Sequence, residues 1–121
     1  MRGKANFSYE YLIFQELLYE YDSSQQNSVE GKIKRRLKYY QVGPYNKERV
    51  AYIRNFKNEL SSEIRLMSDS KYFKNTTSQF AMIEDFNIEQ MVKDYAKQFD
   101  QLSMNDIRDM IGWGVHWLYT R

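Results

Sequence analysis

At 121 residues, with 42% hydrophobic and 28% charged side chains, the chain has the make-up of one folded domain over residues 1–121 and not of a disordered tail. It has no cysteine, which excludes disulfides, thiolate nucleophiles and thiolate metal ligands and fits an intracellular protein. The formal charge of +2 is what remains of 18 basic and 16 acidic side chains, and these are unevenly placed.

Residues 28–58 hold nine basic side chains (Lys32, Lys34, Arg35, Arg36, Lys38, Lys47, Arg49, Arg54 and Lys57) against Glu30 and Glu48, a local charge of +7. Residues 1–27 come to −2 and residues 76–121 to −3. A cluster of this kind makes a local field that the net charge hides, and it points to an anionic partner. The start, Met1-Arg2-Gly3-Lys4, opens like a signal peptide, but Glu16 and Glu20 interrupt its apolar stretch and no small-residue cleavage site follows. A cytoplasmic location is therefore expected. The longest apolar run, 11–14, is one helical turn, far short of the about 20 residues that a membrane span needs.

The spacing predicts five helices. The first covers 8–22, capped by Ser8, with Ile13, Phe14, Leu17, Leu18 and Tyr21 on one side and Leu12 and Tyr19 on the other. Residues 23–28 are polar and uncharged and read as a loop. The second helix covers 29–40. Its apolar stripe is Val29, Ile33, Leu37 and Tyr40; Lys34, Arg35 and Lys38 point away from it, and Lys32 and Arg36 border it. Gly43-Pro44 is expected to end it.

The third helix, 47–68, is capped by Asn46 and carries the stripe Ile53, Phe56, Leu60, Ile64 and Met67. Residues 69–78 read as a loop, with a turn of helix over 79–86. The fourth helix, 88–102, starts at an Asn87 cap with Gln90 completing a capping box, and Glu89 with Lys93 makes an exposed pair. Ser103 and Asp106 then signal the last helix. Residues 111–119 also alternate like a strand, and two glycines cost a helix roughly 2 kcal/mol. Helix is preferred, because no hairpin partner is visible. The expected fold is all-α: four to five helices in one bundle.

Two residue sets are candidates for function. Lys32, Lys34, Arg35, Arg36, Lys38, Arg49, Arg54 and Lys57, with Tyr39, make a candidate nucleic-acid-binding face. Lys and Arg neutralise phosphates and release counterions, and interleaved tyrosines (Tyr39, Tyr40, Tyr45, Tyr52) offer rings to exposed bases. The bland alternative is a solvated helix face, one that can dock the acidic C-terminal half of the same chain or of a second copy. The two basic helices have the outline of a helix-turn-helix, but Pro44 and the length of the second helix depart from that motif. Met110, Trp113 and Trp117, three and four residues apart, form a candidate interface patch; Gly112 and Gly114 beside it leave room for another backbone. Burial in a central helix is its bland alternative.

No chemistry-bearing constellation accompanies them. His116 is the only histidine, too little for a zinc site. The acids Glu84-Asp85 and Asp106 with Asp109 sit where helix caps and dipole partners sit. The scattered glycines fit no phosphate loop. The expectation is a non-enzymatic binding or regulatory protein without cofactor or metal, its partner a nucleic acid or an acidic protein surface. Its composition is of the kind met in phages and mobile elements of AT-rich bacteria. The alternative is a protein-interaction module, such as an inhibitor of a host nuclease or a CRISPR-type defence complex, built on the tryptophan patch or on the basic face against an acidic surface, or a homodimer built on the tryptophan patch.

Overall fold

A computed structural model describes residues 7–20, 23–74 and 81–120. The protein is all-α, and the described residues form five α-helices: α1 (Tyr9–Leu17), α2 (Gln26–Tyr40), α3 (Lys47–Arg65), α4 (Ile88–Gln98) and α5 (Met104–Val115). Among the described residues the β pairing amounts to a single antiparallel bridge between Phe73 and Phe86. The chain divides into two compact units, Met1–Lys57 and Asn58–Arg121, and the division falls inside α3. No helix of the described residues is long and apolar enough to cross a membrane.

In the first unit, the Ser8 hydroxyl accepts from the Tyr11 N–H at 3.0 Å and opens α1 as expected. The helix stops five residues short of 22. Its end tightens into three-residue turns, in which the Tyr19 N–H reaches the Glu16 carbonyl and the Glu20 N–H the Leu17 carbonyl. Tyr21 and Asp22 lie outside the described residues. Leu12 is buried together with Ile13, Phe14 and Leu17, so α1 is covered on two sides, while Tyr19 is exposed.

The polar stretch expected as a loop instead forms a 3-10 turn (Ser23–Gln25) that leads into α2 at Gln26. Nothing in Gln26-Asn27-Ser28 breaks a helix nucleated downstream. Nor is Gly43-Pro44 what ends α2. Gln41 takes left-handed backbone at φ 56, its N–H bonds the Lys38 carbonyl, and the Val42 N–H returns to Leu37. This is the double closure of a Schellman motif. Gly43, at φ 134, then turns the chain, and the Pro44 carbonyl accepts from the Tyr9 hydroxyl at 2.6 Å.

Asn46 caps α3, accepting from the Arg49 N–H at 3.0 Å. Val50, Ile53, Phe56, Leu60 and Ile64 are buried at the expected spacing, but Met67 is exposed. The helix ends at Arg65 and is followed by a 3-10 turn (Met67–Asp69) that opens on Met67 at φ 53. In the first unit the Phe14 and Phe56 rings meet edge to face at 5.8 Å.

In the second unit α4 packs along α5. Of the expected 79–86 turn, Gln79 and Phe80 fall outside the described residues; a 3-10 turn is present at Ile83–Asp85. Asn87 caps α4 through the Gln90 N–H at 3.2 Å. The reciprocal half of the capping box is replaced: the Asn87 N–H is already taken by the Tyr72 carbonyl at 2.8 Å, and the Gln90 side chain donates to Asp94 at 3.0 Å. The helix ends at Gln98, four residues early, yet Phe99 and Leu102 beyond it stay buried. Ser103 caps α5 at 3.1 Å from the Asp106 N–H. Both glycines sit inside α5, and 116–120 continue it as a π turn, so the segment is helix and not strand.

Candidate functional site

On α2, Lys32, Arg35, Arg36 and Tyr39 repeat at three- and four-residue spacing and so share one stripe of the helix. With Glu16 of α1 and Tyr40 they line an open cleft of about 440 Å³ in the first unit. Lys34 and Lys38 lie further round the same helix and are exposed. The Arg35 guanidinium lies back over Gly31, its Nη1 3.7 Å from where a Cβ would stand.

The nine predicted residues separate into two groups. Arg36 pairs with Glu16 at 3.1 Å and stands over the Tyr40 ring at 5.4 Å. Arg49 pairs with Glu10 and covers the Tyr9 ring at 3.8 Å. Arg54 grips Glu20 with both Nε and Nη2, at 2.8 and 2.9 Å, and that bond holds its guanidinium pKa above the usual value. The Lys57 ammonium donates to the Glu20 carbonyl at 3.5 Å. These four are fasteners between α1, with the turn after it, and α2 and α3. The basic segment does meet acidic residues of its own chain: Glu10 and Glu16 of α1 and Glu20 in the turn after it.

The second group faces outward. Lys34 makes a 3.6 Å pair with Glu30 one turn away, both partners well exposed, a contact worth about 0.3–0.5 kcal/mol. Its ammonium also covers the Tyr45 ring at 5.0 Å; burial, then the nearby Glu30, raises the Tyr45 hydroxyl pKa. Lys32 approaches the Tyr19 ring at 5.8 Å. Among the described residues no carboxylate comes within ion-pairing distance of Lys32, Arg35 or Lys38. Tyr39 is 60% exposed and sets its ring edge to face against Tyr40 at 5.0 Å.

The tryptophan patch is only partly a surface. Met110 is fully buried and belongs to the core with Ile107, Ile111 and Val115, which removes it as an interface residue. Ile107, Ile111 and Val115 on one side and Met110 on the other are buried, so both sides of the helix carry core residues. Trp113 and Trp117 remain half-buried, with ring centroids 6.2 Å apart, and Trp113 lies 5.3 Å from the His116 ring. A Cβ on Gly112 would meet nothing within 4 Å, so no backbone of the described residues uses the room it leaves.

Several polar contacts were invisible in the sequence. Glu89 pairs with Arg108 at 2.9 Å in place of Lys93, and that bond lowers its pKa. The Tyr72 hydroxyl donates to Asp94 at 2.7 Å, which keeps the Asp94 carboxyl below its usual range. The Tyr119 hydroxyl donates to the buried Asp85 at 2.7 Å. Cross-helix partners of this kind carry no local spacing signal; for Glu10, Glu16 and Glu20 the one available hint was the −2 segment bordering the +7 segment. Among the described residues no three His, Cys, Asp or Glu side chains come together as a metal site. Comparison with protein-family models, with curated proteins and with solved structures returned no match to this chain.

Proposed function

We propose that the protein is a non-enzymatic binding protein that contacts nucleic acid through the outward face of α2, with Lys32, Arg35 and Lys38 on the phosphates. The observation that carries this reading is the cleft: two cations with no carboxylate of the described residues in pairing range stand there beside an exposed tyrosine. Cations so placed displace counterions from a phosphate backbone, which gives affinity that falls with salt and is largely indifferent to sequence. Arg36, Arg49 and Arg54 are assigned to the fold instead, since each would have to give up a carboxylate before meeting a phosphate.

The test is a salt titration of binding with the triple variant Lys32→Gln, Arg35→Gln, Lys38→Gln. All three side chains are exposed, so helicity should persist. Affinity at low salt should collapse, and the slope of log affinity against log salt should shrink by about 1 for each contact removed. An unchanged slope refutes the assignment.

The half-buried Trp113–Trp117 pair beside the open flank of Gly112 favours one second reading, a protein-interaction module. In that reading the patch holds a second copy of the chain or an inhibited host protein. A dimer that Trp117→Ala dissociates identifies self-association; a monomer at every concentration removes it.

A further inference from the structure

We infer that the cleft takes an unpaired base, and hence that the nucleic acid bound is single-stranded, with one base against the Tyr39 ring and its flanking phosphates on Lys32 and Arg35. This rests on the reading of the α2 face given above and adds the strand type.

The four tyrosines interleaved with the basic segment are not equivalent. Tyr45 lies under the Lys34 ammonium. Tyr40 is held edge-on by Phe7 at 5.5 Å and faces the Arg36 guanidinium. Tyr52 is half-buried. Tyr39 alone among them is exposed, and it lines the cleft together with Lys32 and Arg35. Its neighbour Tyr40 is fixed by two contacts and so braces Tyr39 from one side, an arrangement in which the ring loses little freedom when something stacks on it. The cleft is open to solvent, with a volume of about 440 Å³.

The bases of a duplex are already stacked on one another and present only their edges. A tyrosine face can be used only by a base outside the stack. Phosphates, by contrast, are offered by both strand types. The two halves of the cleft therefore separate experimentally: the cations set salt-dependent affinity for any nucleic acid, and Tyr39 sets the preference for single strands.

The experiment measures binding of the full chain to labelled single-stranded DNA and RNA and to duplexes of the same sequence, at low and at physiological salt. The proteins compared are the wild type, Tyr39→Ala, Tyr39→Phe and the pair Lys32→Gln with Arg35→Gln. Wild type should favour single strands. Tyr39→Ala should weaken that binding roughly 5- to 150-fold, the ratio that corresponds to about 1–3 kcal/mol of stacking, with an unchanged salt slope and unchanged duplex affinity. Tyr39→Phe keeps the ring and should keep the affinity. The Lys32/Arg35 variant should lose both strand types. Equal binding of single strand and duplex, with Tyr39→Ala neutral, overturns the stacking inference and leaves the phosphate reading standing. The stacking inference also fails if Tyr39→Phe is as weak as Tyr39→Ala. Absence of binding to either strand type at low salt overturns the phosphate reading itself.

Discussion

Arg54→Met separates a structural cation from a ligand-facing one. The Glu20 side chain is 5% exposed and accepts both guanidinium bonds, at 2.8 and 2.9 Å. Without Arg54 that carboxylate stays in place with its charge unmatched. Breaking a buried pair from one side costs about 3–5 kcal/mol. Arg54 is itself 25% exposed, so water enters the vacated side, and the expected loss is about 2–3 kcal/mol. Out of a total stability of about 5–15 kcal/mol that is a large share. In urea denaturation followed by circular dichroism, the midpoint should fall by about 1–2 M at an m-value near 1.5 kcal/mol/M. Glu20→Gln keeps an acceptor for Arg54 and should lose only about 1 kcal/mol. Glu20→Leu combined with Arg54→Met removes both charges and should recover most of the loss. Nucleic-acid affinity, measured where each variant is folded, should not change. A midpoint that stays put while affinity drops refutes the assignment of Arg54 to the fold.

Phe56→Ala empties a fully buried site against Phe14 and should cost about 3–5 kcal/mol in the same denaturation assay; a loss below about 1 kcal/mol contradicts the packing described. Gly31→Ala should raise stability by about 0.5–1 kcal/mol, because the added Cβ meets only the flexible tip of Arg35 at 3.7 Å, and a lowered midpoint overturns that. The bond to Asp85, helped by burial, pushes the Tyr119 hydroxyl up to about 12, so the folded chain keeps a phenolic proton that the unfolded chain releases near pH 10. Its contribution is therefore complete below pH about 10 and fades as pH rises toward 12. Thermal melts across that window should fall more steeply for the wild type than for Tyr119→Phe, and parallel curves refute it.

The helical stripes were legible because burial follows spacing: Ile13, Phe14 and Leu17, Val29, Ile33 and Leu37, and Ile53, Phe56, Leu60 and Ile64 are all buried where the three-four pattern places them. The helix ends were less so. Gln41 and Met67 take positive φ without being glycine, a choice that carries no composition signal. The Asn87 N–H is claimed by Tyr72, fifteen positions earlier in the chain, which no window around the cap can reveal. Met110 shares a helical side with Trp113 and Trp117, and the sequence pattern could not say that one is sealed and the others half-open, because that depends on which element covers α5.

The charged residues follow a rule that spacing alone does not contain. Within the described residues, Arg36, Arg49, Arg54 and Arg108 each hold a glutamate on another segment, whereas the exposed cations of α2 are mostly lysines. A planar guanidinium presents a rigid fork to a carboxylate, and it is more weakly hydrated than an ammonium, so it can be drawn into a half-buried pair at lower cost. Arginines in a helical protein are thus spent first on the fold. Arg35 and Arg65 depart from this pattern, both exposed with no carboxylate of the described residues in pairing range, and of the two it is Arg35 that lies beside Lys32 and Tyr39 in the cleft. A fork left without a carboxylate can present two parallel donors to a phosphate. That exception, more than the +7 total of the segment, is why the α2 face is the part of this molecule read as waiting for a ligand.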